Sequence, residues 1–243
     1  KRSLRTGSVD LAGSGTAGTA PAWGTLIKAC SMIEQVTAGT KTEYTPKSRA
    51  PGSATLYHYL DGTLHKGLGA RGDWSVTIAA KTIPKLTFSL QGMYAPASAA
   101  ALPAVVLTGW KDAPPVGFTD TPTATIGGID VKLASFTYSH GVQLAFRDLP
   151  NTRAIIPSGW QSTAEITFEA PDALATDFFA MVGTNTGVVI KHGTTAGNIV
   201  QVDLFNATVT KPRYSNADNI AMLTLTLRPL PNTGDDQVKL TVT

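Results

Sequence analysis

Along most of the chain apolar and polar residues alternate one by one, the period of a half-buried β-strand, because successive strand side chains point to opposite faces. Leu56, His58 and Leu60 face one way and Tyr57 and Tyr59 the other. Asp61-Gly62 then supplies a turn, and Trp74, Val76 and Ile78 alternate again before Leu86, Phe88 and Leu90. The succession returns later with Val188 and Ile190, a turn-rich stretch over 192–198, and Ile199, Val200 and Val202. A strand-like 207–211, a loop over 212–219, and Leu223, Leu225 and Leu227 on one face complete it. Two segments depart from this period. After Pro21, Trp23, Leu26, Ile27, Cys30 and Ile33 fall at helical spacing; after Pro171, so do Leu174, Phe178, Met181 and Val182, with Asp172 in the first turn. Each predicts one helix opened by proline.

Residues 55–92 and 188–229 match in the order of elements and nearly in length, which predicts an internal structural duplication. The expected fold is mainly β, with two tandem domains, each flanked by one α-helix. Residues 1–115 form the first domain with its linker, and 116–243 the second with a C-terminal arm. The linker is the Pro- and Ala-rich stretch 95–122. The second half has additional strand-like sequence at 129–149 and 162–168 before its helix, whereas the first has only residues 1–20, so a complete first half is expected to continue upstream of Lys1.

Composition agrees with strands. Thr is the commonest residue, at 34 of 243, and β-branched side chains suit a pleated sheet and lose χ1 freedom in a helix. Apolar residues at 42% can bury a core, while 15% charged is well under the ~25% of an ordinary domain, which suggests surface covered in an assembly. The net charge of +3 comes with no basic cluster of the kind that holds nucleic acid by counterion release. Cys30 is the single cysteine, so no internal disulfide forms. The longest apolar stretch, 95–107, is broken by Pro96, Ser98 and Pro103, and no membrane span is expected.

Candidate chemistry is sparse. Gly13-Ser14-Gly15-Thr16-Ala17-Gly18 satisfies G-x-G-x-x-G, but a dinucleotide site needs alternating strands and crossover helices, which this pattern lacks. His58, His65, His140 and His192 have no metal-ligand spacing, and Asp235-Asp236 follows the turn-like Pro231-Asn232-Thr233-Gly234. Trp23, Trp74, Trp110 and Trp160 stand singly, as core or interface anchors do. No catalytic constellation emerges, so neither an enzyme nor a cofactor is expected.

The run 11–24 (LAGSGTAGTAPAWG), Tyr57 to Leu60 with Asp61-Gly62, the strand 84–92, Glu169-Ala170-Pro171 with Asp177-Phe178-Phe179, and the run 192–198 (HGTTAGN) together resemble the major tail tube protein of long-tailed, non-contractile bacterial viruses. The resemblance implies tail-tube-type β-sandwich or barrel domains, assembled in the host cytoplasm as stacked rings of the virion tail around a lumen through which DNA leaves the capsid. A single-domain member forms hexameric rings; a duplicated chain implies a homotrimeric ring with pseudo-sixfold symmetry, with a homohexamer as the alternative. Partners are then further copies, other tail proteins, and DNA passing without sequence-specific binding, with no membrane. Two hairpins are expected to line the lumen, carrying Tyr57, His58, Tyr59, Thr63 and His65 in the first half and Lys191, His192, Thr194, Thr195 and Asn198 in the second. Assembly contacts are expected from Thr40, Lys41, Lys47 and Arg49 in the loop 37–53, and from Asp235, Asp236 and Lys239 in the tail 229–243. The competing reading is a virion or secreted β-sandwich module that binds carbohydrate or a receptor.

Overall fold

The computed structural model describes residues 2–171 and 177–243. Strand β1 (Arg2–Asp10) leads through a short helix α1 (Gly24–Lys28) to the hairpin of β2 (Met32–Thr37) and β3 (Lys41–Pro46). A second hairpin, β4 (Ala54–Leu60) and β5 (Thr63–Ala79), is followed by β6 (Lys85–Tyr94) and β7 (Ser98–Ala99). Then come β8 (Thr123–Ile126), β9 (Ile129–Asp130), β10 (Leu133–Ser139) and a separate hairpin of β11 (Val142–Leu149) and β12 (Thr152–Trp160). The chain closes with β13 (Thr163–Glu169), β14 (Asn185–His192), β15 (Val200–Ala217), β16 (Ile220–Pro229) and β17 (Lys239–Val242).

All strands but β11 and β12 belong to one hydrogen-bonded system that divides at β15. One edge of β15 carries β14 along its first half; the other carries β17 at Val200 to Asp203 and β16 from Ala207 onward. A large layer therefore runs β1-β6-β5-β10-β13-β16-β15, and a smaller one β2-β3-β17-β15-β14-β8-β9. A bulge between Val209 and Lys211 lets the same strand serve both. Between the layers lies one core, in which Trp74, Phe88, Phe136, Ile166 and Leu225 from the large layer meet Tyr44, Ile190, Val202 and Leu240 from the small one. This is sandwich packing, with the apolar member of each alternating pair turned inward.

The pairing order β1-β6-β5-β4 in the first half recurs as β13-β16-β15-β14 in the second, all antiparallel. The two halves nevertheless share the core, and their sheets join where β5 pairs β10 and β3 pairs β17. The proposed boundary near residue 115 falls in the irregular stretch between β7 and β8.

Three local expectations change. The helix after Pro21 spans only Gly24–Lys28, because Ser31 takes a left-handed φ of 61° and turns the chain into β2, which carries Ile33. Of the second helix, Asp172 and Leu174 lie outside the described residues. Phe178 to Val182 form turns with Met181 N–H to Phe178 O and Val182 N–H to Phe179 O, opened by the Asp177 carboxylate accepting from the Phe179 and Ala180 N–H groups. The loop expected at 212–219 is strand up to Ala217, with a two-residue turn at Asp218-Asn219, both at positive φ.

Candidate functional site on the polar face of the large layer

Register decides what the outer face of the large layer presents, since directly opposed residues of antiparallel strands share a side. One row crosses all seven strands: Asp10, Lys85, Thr77, Thr137, Glu165, Thr226 and Lys211. The neighbouring row is Ser8, Thr87, Ser75, Ser139 and Thr163, and a third runs Ser135, Thr167, Thr224 and Arg213. Hydroxyls bond along the rows, Ser8 to Thr87 at 3.0 Å and Thr167 to Thr224 at 2.9 Å. Charges alternate in sign, and Arg213 is paired with Glu165 at 3.0 Å. The rows interleaved between them point inward as Leu86, Val76, Tyr138, Ala164 and Leu227, and as Ile78, Phe136, Ile166 and Leu225. The result is a broad wall of short hydroxyl side chains backed by a packed core. The alternation that builds it is visible in the sequence, but only the register shows that the hydroxyls of six strands, with the cations of the seventh, share one side.

At one end of this wall β10 runs into the β11/β12 hairpin. The Asp73 carboxylate accepts the Val142 N–H at 3.0 Å, and Arg71 donates to Ile155 O at 2.8 Å, so both anchor the hairpin to β5. Burial pushes the Asp73 carboxyl above its ordinary range, although N–H groups of Val142, Trp74 and Gly141 favour its charged form. His140, fully buried beside Trp74, stacks on Trp160 of the hairpin with centroids 5.3 Å apart, and its Nδ1 lies 2.9 Å from the Tyr138 hydroxyl.

The hairpin residues expected at the lumen fall in two different places. Tyr57, His58, Tyr59, Thr63 and His65 lie on the β4/β5 hairpin, which extends the large layer; His58 opposes His65, while Tyr57 opposes Lys66. Lys191, His192, Thr194, Thr195 and Asn198 lie instead at the end of β14 and the loop after it, in the small layer. His192 is buried: Nε2 donates to Pro114 O at 3.1 Å, which leaves Nδ1 to accept from the Thr121 hydroxyl at 3.0 Å. Burial lowers its pKa, against the opposing pull of Pro114 O and Asp120.

The two glycine-rich motifs pack on each other. Gly15 N–H donates to Gly197 O at 2.9 Å, and Gly13 N–H to the Asn198 side chain at 2.7 Å. A Cβ on Gly13 would strike Gly197 O, and one on Gly197, at φ +86°, would strike the Gly15 backbone. These bonds use the Gly13 and Gly15 N–H groups to join the two loops, a packing role for the G-x-G-x-x-G run. Among the described residues no group of three or more His, Cys, Asp and Glu converges on a metal position.

The expected assembly residues also gather. Lys41 and Lys239 flank Glu43 at 3.0 and 3.3 Å; burial works against its charge, but the two cations outweigh it and hold its carboxyl below the ordinary range. Asp235 accepts from the Ser48 N–H and hydroxyl, between Lys47 and Arg49, and Thr40 closes the β2/β3 turn with its N–H on Thr37 O. Asp236 accepts from the N–H groups of Asn232 and Thr233 and the Thr233 hydroxyl. The tail is no free arm, however: β17 is inserted between β3 and β15, with Val238, Leu240 and Val242 buried.

Among the described residues this surface offers a wall of hydroxyl and charged side chains and several sheet edges. No helix among the described residues is long and apolar enough to cross a membrane. A comparison with curated proteins finds no match. A family model described as phage tail tube protein matches residues 4–243. With nearly the whole length matched, on a β-sandwich whose sequence resembles that family, the chain belongs to the phage tail tube protein family and is a structural protein, not an enzyme.

Proposed function

We propose that the chain builds the DNA-conducting tube of a siphovirus-type tail as homotrimeric rings with pseudo-sixfold symmetry, and that the polar face of the large layer is the lumen wall. The observation that carries this reading is the seven-strand row of hydroxyls and balanced charges on a sheet whose other face is the core. Such a wall keeps its own water and presents no cation cluster, so a polyanion slides along it without the counterion release that would hold it. The recurrence of β1-β6-β5-β4 as β13-β16-β15-β14 supports two quasi-equivalent units per chain, hence three chains in place of six.

In this arrangement the β4/β5 hairpin continues the wall beyond the layer, bringing Tyr57 onto the side of Met93 and Gln91. The cluster around Glu43 and Asp235, with Lys41, Lys47, Arg49 and Lys239, serves ring-to-ring contacts. Assembly takes place in the host cytoplasm with other tail proteins, and DNA passes through the finished lumen during ejection. Electron cryo-microscopy of tubes grown from purified protein tests both parts. Three chains per ring with Thr77, Thr137 and Thr226 facing the channel is the expected result. Six chains per ring would overturn the trimer, and a channel lined by the small layer would overturn the wall.

A further inference from the structure

We propose that the His58–His65 pair of the β4/β5 hairpin is a chelating site for a divalent transition cation of the zinc class, with water completing the coordination. The two histidines have no metal-ligand spacing in the sequence, and the hairpin makes them neighbours. Asp61 and Gly62, at φ 42° and 74°, form a two-residue turn whose twist suits a hairpin and fixes its register. Leu60 then opposes Thr63, Tyr59 opposes Leu64, and His58 opposes His65 directly. Opposed residues of an antiparallel pair project to one side, with Cβ atoms about 4.5–5.5 Å apart. The imidazole centroids stand 6.3 Å apart with the rings inclined by 39°. Bonds of about 2.0–2.1 Å from both rings to one tetrahedral ion bring the centroids to about 5 Å, an approach that rotation of the exposed His58 side chain supplies.

Both rings are uncommitted. Among the described residues neither makes a hydrogen bond or an ion pair, and the ring contact of each is with the other. The remaining two histidines differ: both are buried, His140 against the Tyr138 hydroxyl and His192 between Pro114 O and Thr121. The surroundings of the exposed pair also suit a cation. On its side of the hairpin the flanking opposed pairs are Leu56 with Gly67 and Leu60 with Thr63, and Ala99 of β7 lies beyond Thr63. Lys66 is on the other side, over the Tyr57 ring, so its charge does not face the pair.

Imidazole nitrogen selects Zn²⁺, Ni²⁺ or Cu²⁺, whereas Mg²⁺ and Ca²⁺ take oxygen ligands. Two protein ligands leave the rest of a four-coordinate shell to water, so the ion exchanges with solvent, unlike one in a closed structural site. Among the described residues β4 pairs only with β5, and an ion held by both strands ties this outer strand to its neighbour. Because the site exists only in the folded hairpin, binding stabilises that hairpin by mass action. The pair is on the side opposite Tyr57, away from Met93 and Gln91 and hence from the polar wall, so the site does not depend on what the wall does.

Equilibrium dialysis of the chain without any purification tag, against zinc chloride and separately against magnesium chloride, compares the wild type with His58→Ala and His65→Ala. Thermal melts confirm folding, and hydrogen exchange over residues 56–67 is followed with and without zinc. One zinc ion per wild-type chain, uptake weakened about tenfold or more in each variant, and no magnesium uptake are expected. Zinc is also expected to raise protection over 56–67 in the wild type and not in the variants. No zinc uptake by the wild type, undiminished uptake by the variants, or uptake that leaves protection of the hairpin unchanged would overturn the site. Should His65→Ala fail to fold, the exposed His58→Ala decides. None of these readouts requires tubes, so each outcome bears on the metal site and leaves the tube reading to its own test.

Discussion

At the scale of single residues the structure spends its polar groups on holding segments together. His140 is buried among Trp74, Tyr138 and Trp160, and burial lowers its pKa to about 3. Its folded pKa lies below the ordinary value near 6.5, so the neutral form is bound and the unfolded chain takes up the proton first as pH falls. Its contribution is complete above about pH 6.5 and declines between there and pH 3, by at most ~1.4 kcal/mol per pH unit. Thermal melts of His140→Gln across that window are expected to show a shallower acid slope than the wild type. Gly197 is a second such point, since its positive φ and the Gly15 backbone leave no room for Cβ. Gly197→Ala is expected to cost about 1–3 kcal/mol in denaturant titration, with the two glycine-rich loops losing protection in hydrogen exchange.

At the scale of elements, what the sequence made legible depended on length of pattern. Strands with long alternation, such as β5, β6 and β16, are readable from residues 74–78, 86–90 and 223–227, because one face is buried wherever the alternation holds. The first helix was readable in its start and not in its end: Ile33 keeps helical spacing by coincidence, and the left-handed Ser31 decides the boundary. Pro212 suggested a loop, yet an edge strand tolerates proline, and β15 continues through it. In the tail, the four residues of β17 give too short a pattern to reveal burial. Leu240→Ala is expected to destabilise the fold by about 2–5 kcal/mol in chemical denaturation. Removing residues 235–243 would accordingly open the core between β3 and β15 instead of trimming an accessory arm.

At the scale of the whole molecule, low charge and abundant threonine acquire a location. Thr77, Thr137, Thr167, Thr224 and Thr226 stand together on one face, while the exposed Tyr214 and Phe179 lie on the opposite side of the layer, at its β15 end. If that face is the lumen wall, cations placed on it should retain DNA. The double variant Thr77→Lys/Thr137→Lys is expected to assemble normally and to slow DNA release from assembled virions, with the effect relieved by added salt. A release rate equal to the wild type at low salt would place this face elsewhere in the particle.

The sequence by itself determined the β-rich class, the repeated order of elements, and through its motifs the tail tube family, because these depend on local alternation and on short contiguous runs. Tertiary structure alone decided that both halves share one core, that the C-terminal strand is part of it, that His192 is buried, and that hydroxyls from six strands form a single wall. Those outcomes rest on register and on pairings between residues far apart in the chain, such as Leu240 with Tyr44 and Thr137 with Thr77, and alternation along one strand carries no information about which partner lies beside it.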